Sequence, residues 1–507
     1  MSLPLDTLTA SEALRRMAEG DLTAEQLIRA VIGRIDRFEP SYNAFLFRNA
    51  KAVDEAVRLD RMRASGRKPG PLFGIPVAIK DAIDVRGFAT TCAWSPLGPG
   101  GRLNLTPRRD ATAVARLRGA GAIVIGKTNT PAFSASTRDA GTSWAGDSYN
   151  AVDRDLIASG SSTGTATAVA AGFALGGLGA ETGGSLQNPA GAQSLVAVKP
   201  TFGLTPNSGL APVATSTRDV IGPHARTIRD AALIMDVISG YSLEDPKTLA
   251  SFDRMPANGY VAALRPDALQ GARLGAYGLG WSGQPLAPSV LSAYEQRLGQ
   301  LEALGAEVVP DPFEGTALRT LATPESPDLR GLETIQDDFD AYLRRNPGFG
   351  VATLRDLIDR AGSDPFAEGQ PMYAMRRLQS DTPAGRARKL NAFLAAKRDY
   401  LAVIDSVMAT ARLDALVFPQ HWSDVPTVGS GARFPGLTTP ILNVAGLPGV
   451  VTPAGRLPSG SPFSLIFVGS PWSEARLLAC AYAYEQAHPG RISPSLTVAG
   501  LAAGNDL

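Results

Sequence analysis

A lysine and two serines in this sequence have neighbours that could support acyl transfer. Lys80 ends the apolar run Gly-Ile-Pro-Val-Ala-Ile-Lys, Ser161 lies in Ser-Gly-Ser-Ser-Thr-Gly-Thr, and Ser185 lies in Glu-Thr-Gly-Gly-Ser-Leu-Gln-Asn-Pro-Ala. A serine hydroxyl is a poor nucleophile until a base removes its proton, and a lysine can be that base only when its amine is neutral. Lys80 is therefore either a solvated residue at a strand end or a buried amine with a lowered pKa.

Two glycines, Gly183 and Gly184, stand directly before Ser185. Because glycine has no side chain, a substrate can approach the backbone there, and successive N–H groups can point at one oxygen. The backbone N–H groups from Thr182 to Ser185 are therefore candidates for an oxyanion hole. Taken singly, these features also fit ordinary structure, namely a Gly-Ser turn, a capping serine and a solvated lysine.

The segment Gly-Ser-Ser-Thr-Gly (160–164) also matches the G-x-S-x-G nucleophile elbow of α/β-hydrolases, with Ser162 as nucleophile. That interpretation requires a strong strand before the serine, and an acid and then a histidine after it. The preceding Val-Asp-Arg-Asp-Leu-Ile-Ala makes a poor strand, although histidines follow far downstream. An esterase that uses Ser162 with a histidine stays open as an alternative.

A second glycine pattern, Gly-Leu-Gly-Trp-Ser-Gly (278–283), matches the dinucleotide-binding motif G-x-G-x-x-G. In a dinucleotide fold the helix begins within this motif, so that its N-terminus faces the pyrophosphate. Here the next predicted helix begins only at Pro288, and a chain with 53 glycines readily matches by chance. We therefore expect a plain surface loop.

The elements that would position Lys80 and Ser161 alternate between strand and helix. A buried strand is predicted over 74–79, and a helix of small residues over 165–175 follows the Gly/Ser turn. Thr9 can cap the first helix in a capping box with Glu12. Other predicted elements are helices over 24–35, 111–120 and 288–304, and strands over 122–125, 273–277 and 306–309. This alternation predicts an α/β protein with a mainly parallel or mixed sheet.

Composition excludes several classes of protein. The 507 residues carry a net charge of +1, which offers no electrostatic footprint for nucleic acid or an anionic membrane. Two cysteines and three histidines, all in separate contexts, argue against a disulfide framework and a zinc site. No signal peptide is visible at the N-terminus. We expect a cytoplasmic protein without a membrane span.

One long segment, 156–198, carries a single charged residue, Glu181, and is dense in Gly, Ser and Thr. A segment so poor in charge must lie almost wholly inside, where its hydroxyl groups need partners. Buried hydroxyls beside glycines are typical of an active-site core.

Together, these segments resemble the amidase signature family, and the resemblance covers nearly the whole chain. The 24-residue step from Ser161 to Ser185 agrees with the family's usual spacing. Further segments that look like the family are Gly-Asp-Leu-Thr-Ala-Glu-Gln-Leu (20–27), Ile-Gly-Lys-Thr-Asn-Thr-Pro (125–131), Val-Lys-Pro-Thr-Phe-Gly-Leu (198–204), Leu-Asn-Val-Ala-Gly-Leu-Pro-Gly (442–449) and Phe-Val-Gly-Ser-Pro-Trp-Ser-Glu-Ala-Arg-Leu-Leu (467–478).

The resemblance implies one large α/β/α domain over 1–507 around a central mixed sheet flanked by helices. Core motifs would lie at about 70–230 and a variable helical substrate-pocket or lid segment at about 313–400, with 401–507 completing the same domain. The family works without a cofactor, so neither a cofactor nor a metal is expected.

The resemblance also implies a Ser–cis-Ser–Lys triad. By motif match Ser185 would be the nucleophile, Ser161 the bridging serine after a cis peptide bond, and Lys80 the base. To be neutral, Lys80 needs a pKa near 7–8 instead of about 10.4, which requires roughly 3.5–4.5 kcal/mol of destabilisation of the ammonium. Burial in the charge-poor 156–198 segment is a plausible source.

The sequence departs from the family pattern around this triad. Ser159-Gly-Ser-Ser-Thr-Gly-Thr165 replaces the usual Gly-Gly-Ser-Ser-Gly-Gly-Ser, Glu181 replaces an Asp, and Gln187 replaces an Arg. None of these changes removes a member of the triad. Losing the Arg removes a fixed positive charge near the nucleophile's turn, so we expect a difference in substrate preference or in local support.

The resemblance implies an amidase acting on linear carboxamides through an acyl-enzyme, with a small-molecule substrate. The aromatic and methionine content of 313–400 suits a bulky aryl or alkyl amide, ester or carbamate, but the same residues could simply pack helices. They are Phe313, Phe339, Tyr342, Phe349, Phe366, Met372, Tyr373 and Met375. One component of a tRNA-dependent amidotransferase, working only in a complex, is a further alternative, and a homodimer stays open.

Overall fold

One mixed sheet runs through the computed structural model, which describes residues 3–321, 329–379 and 382–498. Within these residues the sheet has eleven strands, in the order β1-β3-β2-β4-β6-β5-β10-β11-β9-β7-β8. The strands are β1 Phe45–Arg48, β2 Pro76–Lys80, β3 Ile123–Thr128, β4 Gly176–Glu181, β5 Val196–Lys199, β6 Val220–Ala225, β7 Arg273–Ala276, β8 Glu307–Val309, β9 Ala415–Pro419, β10 Gly449–Arg456 and β11 Pro462–Val468.

The sheet combines parallel and antiparallel pairing. Strand β2 pairs in parallel with both β3 and β4, and β7 pairs in parallel with β8 and β9. Antiparallel ladders through β6, β5, β10 and β11 join these two parallel groups. The expectation of an α/β fold around a mixed sheet is therefore confirmed.

Helices flank the sheet along the described chain. They are α1 Ala10–Glu19, α2 Ala24–Phe38, α3 Ala52–Ala64, α4 Thr112–Gly119, α5 Thr163–Ala171, α6 Gln187–Ala192, α7 Ile228–Ile238, α8 Gly259–Ala262, α9 Leu279–Ser282, α10 Pro288–Ala303, α11 Leu318–Leu321, α12 Ile335–Arg345, α13 Leu354–Ala361, α14 Arg376–Gln379, α15 Pro383–Thr410, α16 Ile441–Ala445 and α17 Glu474–Ala487. None of the helices described is both long enough and apolar enough to cross a membrane.

Two local predictions need correction. The helix expected over 165–175 is α5, which ends at Ala171 because Gly172 takes a left-handed conformation with φ +79°; the chain then enters β4. At the first helix Thr9 does accept the N–H of Glu12, but the Glu12 carboxylate pairs with Arg15 and Arg16. The reciprocal capping box forms instead at the start of α2, between Thr23 and Gln26.

The Gly278–Gly283 motif is not a plain surface loop. Its middle residues form the short helix α9, and Trp281 is buried against Phe313 and Phe418. The next long helix, α10, begins only at Pro288, as predicted. Gly278 precedes α9, but the N–H of Gly280 in its first turn donates to the Asp311 carboxylate at 3.0 Å, so the motif serves packing.

Candidate active site

Lys80 is the last residue of β2 and lies between β3 and β4 in the sheet. Only 1% of the residue is exposed. Its Nζ lies 2.6 Å from Ser161 Oγ and 3.4 Å from the carbonyl oxygen of Ala180. The structure thus brings together two of the three residues that the sequence singled out.

Burial lowers the pKa of Lys80 from its ordinary value to about 7. The negative charges of Asp219 and Glu181 oppose this effect but do not cancel it. The cause is the loss of water around the ammonium form, which is less favourable in the interior than the neutral amine. A lysine in this state can accept a proton near neutral pH.

The loop before α5 presents Ser161. The peptide bond between Gly160 and Ser161 is cis, as the resemblance implies. A side chain at residue 160 would approach the carbonyl oxygen of Ser136 to 2.7 Å, so this position requires glycine. The hydroxyl of Thr130, which follows β3, donates to the carbonyl of Ser161 at 2.7 Å. These contacts fix the backbone from which the Ser161 hydroxyl reaches Lys80.

Ser185 lies in the turn between β4 and α6, next to the Ser161 loop. The N–H of Ser162 donates to the carbonyl of Ser185 at 3.2 Å, which joins the two serine segments. Ser185 is 5% exposed, whereas Thr182 and Gly183 are more accessible. Gly184 has φ +96°, a conformation that favours glycine. The turn therefore depends on its glycines for its shape.

The backbone N–H groups of the residues from Thr182 to Ser185 donate to no other described residue. The adjacent N–H groups are occupied, since those of Leu186 and Gln187 donate to the Glu181 carboxylate at 2.8 and 3.1 Å. Unpaired N–H groups gathered in one tight turn are the arrangement that an oxyanion requires. This turn is therefore a candidate to hold a developing negative charge.

Two buried carboxylates hold the turn from opposite ends. Asp219 accepts the Thr182 hydroxyl at 2.6 Å on one oxygen, and the N–H groups of Val213 and Ala214 at 3.0 and 2.8 Å on the other. Glu181 holds the far end through Leu186 and Gln187. The role of Asp219 was missed from the sequence, because nothing local marks a residue so distant along the chain as a partner of Thr182.

The two departures from the family pattern contact each other. The side-chain amide of Gln187 donates to Glu181 Oε1, which also accepts Asn443 Nδ2 at 2.7 Å. The hydroxyl of Thr438 donates to Gln187 Oε1 at 2.7 Å. A neutral amide thus contacts the Glu181 carboxylate at the position where the family pattern has an arginine. Asn443 lies in the Leu-Asn-Val-Ala-Gly-Leu-Pro-Gly motif noted from the sequence, but its contact with Glu181 was not predicted.

The nucleophile elbow finds no support around Ser162. Its hydroxyl lies 3.2 Å from both the N–H and the carbonyl of Ala180, so it is held by β4. His224 is buried with Nε2 on the carbonyl of Leu186 at 2.9 Å, and burial lowers its pKa to about 4. His421 is bonded through Nδ1 to the carbonyl of Ser423. Within the part of the chain that the structure describes, neither ring is bonded to Ser162.

Most of the aromatic and methionine residues within 313–400 that could form a pocket lie inside the protein. Six of the eight are buried: Phe313, Phe339, Tyr342, Phe349, Phe366 and Met372. Phe339 contacts Phe133 and Tyr342, and Tyr342 in turn contacts Phe349. This favours the packing interpretation. Residues 322–328, 380 and 381 of the same segment lie outside the described residues.

A cavity of about 630 Å³ borders the loop that Asp219 holds. Its lining includes the polar residues Asn207, Ser216 and Asp338, together with Tyr342. The Asn207 side chain donates to the carbonyl of Asp219, and Ser216 donates to the Asp338 carboxylate. Lys80, Ser161 and Ser185 do not line this cavity, so it adjoins the site and is not the reaction centre.

Comparison with known proteins gives the chain its relatives. The family model described as Amidase matches residues 26–478. A glutamyl-tRNA(Gln) amidotransferase subunit from Thermosynechococcus vestitus is 33% identical over 495 residues, which cover 94% of this chain and 97% of that protein. The corresponding subunit from Roseiflexus sp. is 34% identical, with 95% and 96% covered.

Solved structures agree with this relationship. The native peptide amidase of Stenotrophomonas maltophilia superposes with a TM-score of 0.81 at 31% identity, covering 97% of this chain and 99% of that one. An amidase family protein of Bacillus anthracis reaches the same TM-score of 0.81 at 26% identity, covering 97% and 92%. The family match spans most of the chain and the structural match extends over nearly all of it. The chain therefore belongs to the amidase family.

Proposed function

We propose that this protein hydrolyses the C–N bond of a linear carboxamide through an acyl-enzyme on Ser185. The observation that carries the proposal is the buried Lys80 amine, 2.6 Å from Ser161 Oγ, with its pKa lowered to about 7. A neutral amine in contact with a serine hydroxyl can start a proton relay without a histidine.

In the proposed relay, Lys80 takes the proton of Ser161 while Ser161 takes the proton of Ser185. The Ser185 oxygen attacks the amide carbon, and the N–H groups from Thr182 to Ser185 hold the oxyanion. Ser161 then gives a proton to the leaving amine and takes one back from Lys80. The C–N bond breaks, the acyl group stays on Ser185, and Lys80 is neutral again. A water molecule attacks this ester by the reverse relay, releases the acid and restores the hydroxyl of Ser185.

The proposed substrate is a small linear amide, with an ester or a carbamate as a second class. Every group in the relay belongs to the chain, so the proposal includes no cofactor. The proposed location of the enzyme is the cytoplasm. The similar protein of Stenotrophomonas maltophilia is named a peptide amidase, which makes carboxamides of peptides a natural first panel. Primary amides, anilides, esters and carbamates complete the set that defines the substrate.

The nucleophile is tested with Ser185→Ala. Loss of the attacking oxygen should abolish turnover while the far-UV CD spectrum and the Tm stay close to those of the native protein. A fluorophosphonate should label Ser185 in the native protein, as mapped by peptide mass spectrometry. Ser162→Ala is the matched control, and it should still be labelled. An adduct on Ser162, or substantial turnover by Ser185→Ala, would remove the assignment.

A second function, that of an amidotransferase subunit working only within a complex, is favoured by the curated relatives, which are named as subunits of glutamyl-tRNA(Gln) amidotransferase. The two functions differ in what the isolated chain does. We expect the purified chain to hydrolyse simple amides at a steady rate by itself. If it is inert on the whole panel and yet carries a fluorophosphonate adduct on Ser185, the amidotransferase function is the better account.

A further inference from the structure

A second cavity, of about 390 Å³, lies at the junction of the N-terminal segment, the start of α7 and the C-terminal segment. Arg226 and Arg491 both line it, as do Thr452 from β10 and Glu485 from α17. None of the residues proposed for catalysis lines this cavity. It is therefore a separate feature of the molecule, which the amidase reaction does not explain.

Arg226 brings a buried positive charge to this cavity. The residue is 1% exposed, and its guanidinium donates only to backbone carbonyls: Val169 at 3.0 Å, Leu5 at 2.7 Å, Leu8 at 2.5 Å and Ala174 at 3.3 Å. No carboxylate pairs with it among the described residues. These carbonyls take four of the five guanidinium N–H groups, so one is left for a ligand. The charges of Asp230 and Asp6 act on Arg226 through space, but neither forms an ion pair with it, and a buried charge without a contacting counter-ion is costly.

Arg491 adds a second cation with unused hydrogen-bonding capacity. Its guanidinium donates to the carbonyls of Asp6 and Ala170, at 3.0 and 3.5 Å, while its buried Nε has no partner among the described residues. The two guanidinium groups are close enough that Arg491 helps to lower the pKa of Arg226, after burial as the main cause. The cavity thus holds two cations that repel each other.

Thr452 adds a polar group without a partner in the described chain to the lining of this cavity. Its side chain is fully buried, it lines the cavity, and its hydroxyl has no hydrogen-bond partner among the described residues. Most buried hydroxyl groups are paired, so an unpaired one in a cavity that two arginines also line favours an acceptor from outside the chain.

Glu485 is the one carboxyl group among the described residues of the lining. It accepts the N–H of Ile228, the first residue of α7, at 2.9 Å. Burial raises the pKa of Glu485 to about 8, so it is mostly protonated at neutral pH and does not cancel the arginine charges. The N-terminus of α7, with its partial positive charge, adds to the same field.

We propose that this cavity is a binding site for a phosphate-class oxyanion, held by Arg226, Arg491 and the hydroxyl of Thr452. The volume of about 390 Å³ leaves room for a small organic group on the anion. A bound oxyanion would neutralise both guanidinium groups and pair the Thr452 hydroxyl. Because Arg226 also holds the segments around Leu5 and Val169, occupancy would tighten the junction between the N-terminal segment and α5.

The test is thermal unfolding of the full-length protein in a titration with inorganic phosphate, at ionic strength held constant with sodium chloride. We expect a saturable rise in Tm for the native protein. Thr452→Val keeps the shape and removes the hydroxyl, and Arg491→Gln removes one charge without disturbing the carbonyl contacts of Arg226. Both variants should lose most of the rise, while their turnover of the best amide substrate stays at the native level.

The matched control is Arg86→Gln, which removes an exposed arginine outside this cavity and should keep the full response. A parallel titration with glycerol phosphate separates the two sources of the anion, since a lower half-saturation than for inorganic phosphate identifies a phosphomonoester site. An absent rise in the native protein, or an equal rise in all four proteins, would overturn the proposal.

Discussion

At the scale of single residues, the decisive feature is that Lys80 is buried away from water. Lys80 has no carboxylate partner of its own within the described chain, and its amine is shared between a hydroxyl and a carbonyl. An ammonium group there would lack the counter-ion that normally supports a buried charge. The neutral form is therefore accessible at a pH where a solvated lysine would be fully charged.

This state of Lys80 predicts the pH dependence of the reaction. Because the base works only when deprotonated, kcat/KM should rise with pH through an apparent pKa near 7 and then level off. Lys80→Met should lower kcat/KM by several orders of magnitude. Lys80→Arg should be nearly as damaging, because guanidinium stays protonated in proteins and cannot accept the serine proton.

The same measurement has an outcome that would refute the base. If Lys80→Arg keeps more than about a tenth of the native kcat/KM, and Lys80→Met does not, the residue acts as a fixed charge and the relay is wrong. CD spectra and Tm values of both variants separate lost chemistry from lost folding.

Glu181 has two effects: it supports the turn between β4 and α6, and it raises the pKa of Lys80. Its carboxylate accepts four N–H donors, two from the backbone and two from side chains, and its charge raises the pKa of Lys80 against the effect of burial. Glu181→Gln removes that charge, so the acid limb of the pH profile should move to lower pH. The substitution also replaces one carboxylate oxygen by an NH2 group, which cannot accept the N–H groups that face it. The turn should therefore shift, and kcat should fall by about 10- to 100-fold.

The matched control for Glu181 is Glu474→Gln. Glu474 is also buried and accepts the N–H of Thr201, but it does not touch the turn. Glu474→Gln should lower the Tm without shifting the acid limb of the pH profile. Equal pH profiles for Glu181→Gln and the native enzyme would show that Glu181 acts on the turn alone.

At the scale of elements, the shape of the turn between β4 and α6 depends on glycine at position 184. Gly184 has φ +96°, and a Cβ there would lie 2.5 Å from Asn188 Nδ2. Gly184→Ala should therefore shift the N–H groups of the turn and lower kcat more strongly than it raises KM. Steady-state kinetics on the best amide substrate give both values.

Gly87→Ala is the matched control for Gly184→Ala, because it introduces the same kind of backbone strain outside the turn between β4 and α6. Gly87 has φ +88°, and nothing lies within 4 Å of the position its Cβ would take. The substitution should cost about 1 kcal/mol of stability from the left-handed conformation and leave kcat unchanged. If both alanine variants lose the same activity, the turn does not hold the oxyanion.

At the scale of the whole molecule, the N-terminal helix is anchored by a residue far along the chain. Asp230 of α7 accepts the N–H groups of Ala10 and Ser11, at 3.0 and 2.9 Å, and the hydroxyl of Ser11. Asp230→Ala leaves these donors without an acceptor, so we expect a loss of about 3 kcal/mol and a lower Tm. Limited proteolysis should then cut first near α1, and the intact fraction should keep its kcat.

Asp36→Ala is the control for this anchor, because Asp36 only pairs with Arg48 at the surface. Exposed pairs contribute little, so its Tm should stay within a degree or two of the native value. A similar loss in both variants would mean that α1 is held by its apolar face and not by Asp230.

The sequence by itself determined the local parts of this protein. The apolar run up to Lys80 became β2, the predicted helices at 24–35, 111–120 and 288–304 formed with small changes at their ends, and the ordered motifs identified the family. These features depend on neighbours within a few residues, where apolar periodicity, glycine and proline act directly. The end of α5 was set too late, because Gly172 was not recognised as its C-terminal cap.

Only the tertiary structure decided which distant groups meet. Glu181 is hydrogen-bonded to Asn443, which is 262 positions away in the sequence, and Thr182 is hydrogen-bonded to Asp219, which is 37 positions away. The aromatic residues of 313–400, which the sequence allowed as a pocket, are mostly used in packing. Such choices depend on the order of strands in the sheet and on how its flanking elements close over it. A buried polar group takes whichever partner that arrangement brings within hydrogen-bond distance, and no local pattern records that partner.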